Sequence, residues 1–277
     1  MEREKKRRIL FLILFYIFLM FVFVLLLGGN IKYNPTIRYS VKSLFAGLDY
    51  EKLVLHNNYD AQIDSPFLTK EDLNKMDLSN VDNLMIVAHP DDETLWSAME
   101  LIKEGYLVLC ITNGKETGNI RYNELTDVMK KTNDKYIVLS YPDAYKFRRV
   151  DWKKAGVMDY ITKDIETVLL YKNWNKVVTH NPEGEYGHIH HIYVNNITTG
   201  LYNKYINKDT LFYFTKYYDK GELFRVDNYL SPLTQQQVEE KMDLLDLYKS
   251  QPGAFVKYGQ MIKYEKIVNA KDFESSI

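Results

Sequence analysis

The chain has 277 residues, which is enough for one large domain or two modest ones. Its formal net charge is -1 and its sequence pI is about 6.6, so a nucleic-acid partner is not indicated. The single cysteine, Cys110, cannot form an internal disulfide, and the apolar run around it is typical of a buried strand.

The first predicted element is a membrane-spanning helix. Basic residues are concentrated in positions 3–8, and an uncharged stretch follows from Ile9 to Gly29. Such a stretch is long enough to cross a bilayer. It lacks a good small-x-small cleavage site, which favours an uncleaved anchor over a cleaved signal peptide. The positive-inside rule then predicts a single-pass protein of the cell membrane, with a cytoplasmic N-terminus and the remaining chain outside. The Asn-, Lys- and Tyr-rich composition suggests a bacterium.

We therefore divide the chain into three predicted parts. Residues 1–29 form a basic stub and the anchor, residues 30–80 a stalk and entry segment without strong periodicity, and residues 81–277 the main domain.

In the main domain, short apolar runs alternate with segments in which apolar residues recur at helical spacing. The predicted strands are 84–88, 106–112, 136–140, 176–180 and 211–217. The predicted helices are 93–104, 121–132, 156–172, 188–204 and 234–250. This alternation predicts an α/β domain with a mostly parallel sheet that carries helices on both faces.

One acidic motif, Ala88-His89-Pro90-Asp91-Asp92-Glu93, follows the first predicted strand. Sites in open α/β sheets form at this end of the strands. A helix N-cap needs only one carboxylate. Three carboxylates beside a histidine therefore indicate a catalytic or metal-binding role. One aspartate could bind a metal together with His89, while the other takes a proton from an attacking water.

A histidine-rich motif, Gly184–His191, follows the strand predicted at 176–180. His188 and His191 lie three residues apart and are expected to share one helix face. His190 points elsewhere and is expected to be solvated or to support a ligand. Tyr186 could donate a hydrogen bond to a developing oxyanion. Two histidines and one aspartate suit catalytic zinc, and also non-haem Fe(II), although oxygenases of that kind are mostly β jelly rolls.

Together, the two motifs resemble the signatures of the GlcNAc-phosphatidylinositol de-N-acetylase superfamily, also called LmbE-like or PIG-L. The resemblance covers roughly residues 81 to 250. It implies a Rossmann-like α/β fold and a zinc-dependent N-deacetylase that acts on N-acetylglucosaminyl compounds. Fe²⁺ or Co²⁺ could occupy the same ligands.

The resemblance also implies a role for individual residues. The expected zinc ligands are His89, Asp92 and His191, and the expected general base is Asp91. His188 is expected to stabilise or protonate the tetrahedral intermediate and the leaving amine, and Tyr186 to polarise the amide carbonyl.

Two further residues match segments that contact substrate in this superfamily. Arg121 lies in Arg121-Tyr122-Asn123-Glu124, and Asp143 lies in Tyr141-Pro142-Asp143. Both are therefore expected to bind substrate, although Ala144 stands where the superfamily has glycine.

The expected function is a membrane-anchored, zinc-dependent N-deacetylase. It would hydrolyse the acetamide of an N-acetylglucosaminyl glycolipid or cell-envelope saccharide and release acetate, with residues 9–29 in the bilayer. Two alternatives stay open: a cytoplasmic-face deacetylase of a small GlcNAc conjugate, and a catalytically silent membrane-anchored sugar-binding protein.

Overall fold

The computed structural model describes residues 67–114, 120–145, 148–226 and 230–275, together with Phe15. The predicted anchor, apart from Phe15, and the predicted stalk up to residue 66 lie outside these residues. Within the described ranges, no helix is both long enough and apolar enough to span a bilayer.

Eight strands are present in the described residues. They are β1 (Asn83–Val87), β2 (Tyr106–Thr112), β3 (Lys135–Tyr141), β4 (Ala144–Tyr145), β5 (Arg148–Arg149), β6 (Lys176–Thr179), β7 (Leu211–Phe214) and β8 (Ile267–Asn269). Six of them form one sheet in the order β3-β2-β1-β6-β7-β8, and β4 pairs with β5 separately. All neighbours in the main sheet are parallel except β7 and β8. The predicted α/β class with a mostly parallel sheet is confirmed.

Helices connect the strands and cover the sheet. They are α1 (Lys70–Asn74), α2 (Asp92–Lys103), α3 (Ile120–Thr132), α4 (Met158–Leu169), α5 (Gly184–Gly187), α6 (Ile189–Tyr205), α7 (Lys220–Val226), α8 (Gln235–Leu245) and α9 (Pro252–Tyr258). Four predicted helices match α2, α3, α4 and α6 closely. The helix predicted at 234–250 ends earlier, at Leu245, and α9 begins with Pro252 in its first turn.

Each face of the sheet packs against its own layer of helices. Along β1, Met85 and Val87 belong to the core that includes α2, α3 and α8, whereas Leu84 and Ile86 belong to the core that includes α4 and α6. Successive strand side chains point to opposite faces. Because both faces are covered, the strand is apolar from position 84 to its end. Each fully buried aliphatic side chain stabilises the fold by roughly 1.5–3 kcal/mol.

The order of strands reverses at the centre of the sheet. From β1 the chain proceeds outward through β2 and β3, and it then returns to place β6 and β7 on the other side of β1. The β1–β6 pairing ends with Ile86 opposite Thr179. Beyond this pair the two chains diverge and leave a crevice, the usual place for a site in this class of fold. The first motif begins at Ala88, directly after β1, and the second begins at Gly184, five positions after Thr179.

Candidate metal centre

Three buried ligand atoms converge in the crevice. His89 Nδ1 lies 3.2 Å from Asp92 Oδ2 and 3.2 Å from His191 Nε2. His191 Nε2 lies 3.3 Å from Asp92 Oδ2. All three side chains are buried, and they form one of the groups that could hold a metal ion. The structure therefore brings together the three residues predicted as ligands.

The proton on His191 is assigned by its neighbour Glu185. His191 Nδ1 lies 2.5 Å from Glu185 Oε2. An ionised carboxylate only accepts hydrogen bonds, so the His191 nitrogen is the donor. The ring proton is thus on Nδ1, and the Nε2 lone pair faces His89 and Asp92. A buried carboxylate behind a ligating histidine orients the ring and increases its basicity.

The proton on His89 is assigned in the same way. His190 Nε2 donates to the carbonyl of Val150 at 2.6 Å, so His190 Nδ1 is an acceptor. This atom lies 3.0 Å from His89 Nε2, and Asp143 Oδ1 lies 3.4 Å from the same nitrogen. His89 therefore carries a proton on Nε2, and its Nδ1 faces His191 and Asp92. His190 is fully buried and supports His89, which is one of the two expectations for it.

His190 is itself held by an aromatic contact. Its ring stacks on Trp152 with the centroids 4.1 Å apart and the planes inclined by 5°. Trp152 is buried and donates from Nε1 to the carbonyl of Pro142 at 2.7 Å. The orientation of His89 thus depends on a residue 63 positions further along the chain.

When the inner nitrogens of His89 and His191 are unprotonated, they and the Asp92 carboxylate present three lone pairs to one point. This set of donors fits a metal ion.

Asp91 lies beside the three ligands in a strained conformation. It is the N-cap of α2 and has φ 115° and ψ -26°. Its carboxylate contacts the Arg121 guanidinium at 3.0 Å. Burial raises the pKa of Asp91 to about 8, with Asp92 and Glu93 adding to the rise and Arg121 opposing it. A carboxyl in this setting holds a proton more firmly than an exposed aspartate does.

Arg121 and Asp143, both predicted to bind substrate, contact the site residues. Arg121 Nη1 lies 3.1 Å from Asp143 Oδ2, and Arg121 Nη2 donates to the carbonyl of Pro90. Asp143 in turn faces His89. In this structure the Arg121 guanidinium joins two acidic side chains, Asp91 and Asp143, and orients both.

His188 caps the helix that carries the last ligand. Its Nδ1 accepts the N–H of His190 at 3.2 Å, which leaves the proton on Nε2. Burial, reinforced by the His89 and His191 imidazoles, holds the pKa of His188 well below its ordinary value. His188 is therefore a neutral hydrogen-bond donor in this structure. Both expected roles of His188, stabilisation of an intermediate and protonation of the amine, stay predictions.

Tyr186 completes the set of predicted site residues. Its ring centroid lies 5.6 Å from that of His191 and 5.8 Å from that of His188. It also stacks on Tyr258, with the centroids 4.1 Å apart. Burial, with the nearby Asp92 and Tyr258, raises the pKa of Tyr186. The phenol stays protonated and can donate.

Sequence reasoning did not identify the supporting role of Glu185. Its Oε2 accepts from both His191 and His180, and its φ is 55°. The signal in the sequence is its position between two glycines, Gly184 and Gly187, which both have positive φ. His180 directly follows β6; it donates to Glu185 and accepts the Ala88 N–H at 2.9 Å.

Comparisons with known proteins agree with this geometry. An uncharacterized protein of Acanthamoeba polyphaga mimivirus is 34% identical over 125 residues, which cover 40% of this chain and 53% of that protein. The chain thus spans about half the length of this curated relative. The family model for GlcNAc-PI de-N-acetylase, PIG-L, matches residues 84–202, a range that contains both motifs. This match to residues 84–202 confirms the resemblance that the two motifs indicated.

Proposed function

We propose that this chain is a membrane-anchored, zinc-dependent N-deacetylase. Its substrate is the acetamide of an N-acetylglucosaminyl glycolipid or cell-envelope saccharide, and its products are acetate and a free amine. The observation that carries the proposal is the triangle of lone pairs from His89, Asp92 and His191, with Asp91 beside it.

The triangle has the dimensions that zinc requires. Zinc binds histidine nitrogen and carboxylate oxygen at about 2.0–2.2 Å in tetrahedral sites, so two ligands are roughly 3.3 Å apart. The three measured separations are 3.2, 3.2 and 3.3 Å. Three protein ligands leave the fourth position open, as in catalytic sites. When bound, the ion polarises a carbonyl and lowers the pKa of water to about 7.

Asp91 is the proposed general base. Its carboxylate takes a proton from the water as the water oxygen attacks the amide carbon. The Arg121 ion pair prevents rotation of the carboxylate, and burial increases its proton affinity. The leaving nitrogen needs one proton when the C–N bond breaks, and the proton held by Asp91 is available for that step. One water and one amide are consumed, and all their atoms appear in the acetate and the amine.

His188 and Tyr186 are the proposed oxyanion donors. Both present protonated groups near the ligand triangle, and neither carries a charge in the ground state. Donors that are fixed before the reaction stabilise developing negative charge without reorganisation. His188 is fixed by its bond to the first turn of α6, and Tyr186 by its stack on Tyr258.

The membrane location rests on the sequence of residues 9–29. An anchor favours a substrate at the membrane or in the envelope, and the basic residues before it favour an extracytoplasmic catalytic domain. A reporter fused to the C-terminus tests this placement. Activity of a reporter that functions only in the cytoplasm would overturn it and favour the cytoplasmic-face alternative.

Acetate release by the full-length chain in detergent tests the activity. The substrates are GlcNAc, chitooligosaccharides, GlcNAc-phosphatidylinositol and GlcNAc-bearing envelope polymers, each with zinc and with a chelator. We expect chelator-sensitive release that falls by about 10²–10⁴ in Asp91→Asn, since a general base contributes that much. The variant should keep its metal. Bound metal without release from any substrate would favour the sugar-binding alternative.

A further inference from the structure

The backbone at Asp91 is strained, and a neighbouring carboxylate holds it in place. A φ of 115° is uncommon for a residue with a side chain, and such conformations cost about 1–3 kcal/mol. Strain of this size persists only where surrounding contacts enforce it. The Asp91 N–H donates to Glu93 Oε2 at 3.1 Å, two residues further along. Arg121 holds the carboxylate end of Asp91, and Glu93 holds its backbone.

Glu93 is itself held from a distant part of the chain. It has no exposed surface, and its Oε1 accepts from the Thr94 hydroxyl at 2.6 Å and from the Tyr248 hydroxyl. Tyr248 follows α8, 155 residues from Glu93, and is 1% exposed. Its bond to Glu93 therefore forms in the interior, where hydrogen bonds are strongest and unpaired groups most costly.

The loop around Tyr248 is anchored by a second contact of the same type. The Ser250 hydroxyl donates to Glu124 Oε2 at 2.6 Å, and the Ser250 N–H donates to Glu124 Oε1 at 2.8 Å. Glu124 lies on α3 and does not contact Asp91 in these bonds. The loop would therefore stay in place if the Tyr248 hydroxyl alone were removed.

We propose that Glu93 and Tyr248 are positioning residues for Asp91. They hold its backbone in the left-handed region, and this directs the carboxylate toward the ligand triangle. Tyr248 lies outside residues 84–202, so the C-terminal part of the chain takes part in the reaction through this contact. The inference rests on the proposed role of Asp91 in deacetylation.

Two matched variants of the full-length chain test the inference. Tyr248→Phe removes the hydroxyl that reaches Glu93, and Ser250→Ala removes the hydroxyl that reaches Glu124. We expect Tyr248→Phe to lower kcat by about 10–100-fold with little change in KM or metal content, as supporting residues of metal sites do. Ser250→Ala should stay within about twofold of the parent. Equal losses in both variants would overturn the inference.

A double-mutant cycle adds a readout that a merely structural role would not produce. If Tyr248 acts through Asp91, Tyr248→Phe should cause no further loss of kcat in an Asp91→Asn background. Full additivity of the two losses would show that Tyr248 acts independently of Asp91, against the proposal.

Amide hydrogen exchange separates this inference from the proposed function. Exchange at Asp91 should become at least about tenfold faster in Tyr248→Phe and Glu93→Gln, and should be unchanged in Ser250→Ala. This result requires no substrate, so it stands even if the parent releases no acetate. Unchanged exchange at Asp91 in both Tyr248→Phe and Glu93→Gln would overturn the inference while leaving the deacetylase proposal intact.

Discussion

Glu185 accepts hydrogen bonds from His191 and His180 through a single oxygen, Oε2, at 2.5 and 3.0 Å. Its second oxygen accepts the N–H of Asn181 at 3.0 Å. Every contact of this carboxylate is with a donor, so it needs two acceptor oxygens. The arrangement determines which His191 nitrogen faces the proposed metal.

Glu185→Gln is expected to weaken metal binding by about 10–100-fold, the usual effect of losing such a support. The glutamine amide has one acceptor, so its NH₂ group would face either the two imidazoles or the Asn181 N–H. Competition with a chromophoric chelator measures the affinity. Glu183→Gln is the control, because its side chain is 57% exposed and two residues away. Equal affinities in the two variants would refute the role given to Glu185.

Metal removal is expected to destabilise the folded chain. The folded chain brings His89, Asp92 and His191 together, and the unfolded chain does not, so the ion binds the native state preferentially. Binding to the native state alone contributes about 4 kcal/mol when the free metal is 1,000 times its Kd. Calorimetry with zinc and with a chelator measures the shift in Tm. His191→Ala should abolish the zinc-dependent shift. A parent Tm that does not respond to zinc would contradict the site.

His188→Asn is expected to separate helix capping from catalysis. Asparagine is among the best N-cap residues, so the first turn of α6 should stay intact and Tm should change little. The short amide is not expected to replace the Nε2–H donor. Loss of one oxyanion donor lowers kcat by about 10²–10³. Steady-state kinetics and thermal melts of the same preparation test both parts. Normal kcat in a fully folded variant would remove His188 from the mechanism.

Asp134→Asn is expected to stabilise the chain increasingly as pH rises from about 4 to about 7, with the full gain above about pH 7. Asp134 accepts the Tyr106 N–H at 2.7 Å, and burial raises its pKa from 3.8 to about 7. A carboxyl with a raised folded-state pKa contributes stability at low pH that is lost as pH rises through that value. At about 1.36 kcal/mol per unit, the loss amounts to at most about 4 kcal/mol.

Urea unfolding of parent and variant at a series of pH values checks this prediction. The two should differ least near about pH 4, and the variant should be more stable above about pH 7. Asp127→Asn, at an exposed position on α3, is the control for loss of one carboxylate. A stability gain from Asp134→Asn that is the same at every pH would contradict the titration argument.

Local patterns were sufficient to predict the main elements, and the family resemblance supplied the identity of the three ligands. β2 has the predicted bounds, because an apolar run covered on both faces is recognisable without its neighbours. His89 and His191 meet because both follow adjacent strands, and the ends of parallel strands lie at one edge. The strand predicted at 211–217 ends at Phe214, where its pairing with β8 also ends.

The supporting contacts could not be predicted from local patterns. Tyr248 matched a helical apolar stripe, and its ring is indeed buried, but its hydroxyl reaches Glu93 across 155 residues. Trp152 likewise carries no local sign that it stacks on His190. These pairings depend on the packing of α8 and of the β4–β5 hairpin, which periodicity does not specify.

The separation of the ligands along the chain has a consequence for maturation. His89 and His191 are 102 residues apart and meet only where β1 and β6 pair. Closing a loop of that length costs about 4 kcal/mol in chain entropy, by the logarithmic law. A partly synthesised chain offers only His89 and Asp92, which form an incomplete set. Tight uptake of an ion would therefore be confined to chains whose central sheet is finished, so unfinished chains would not compete for scarce metal.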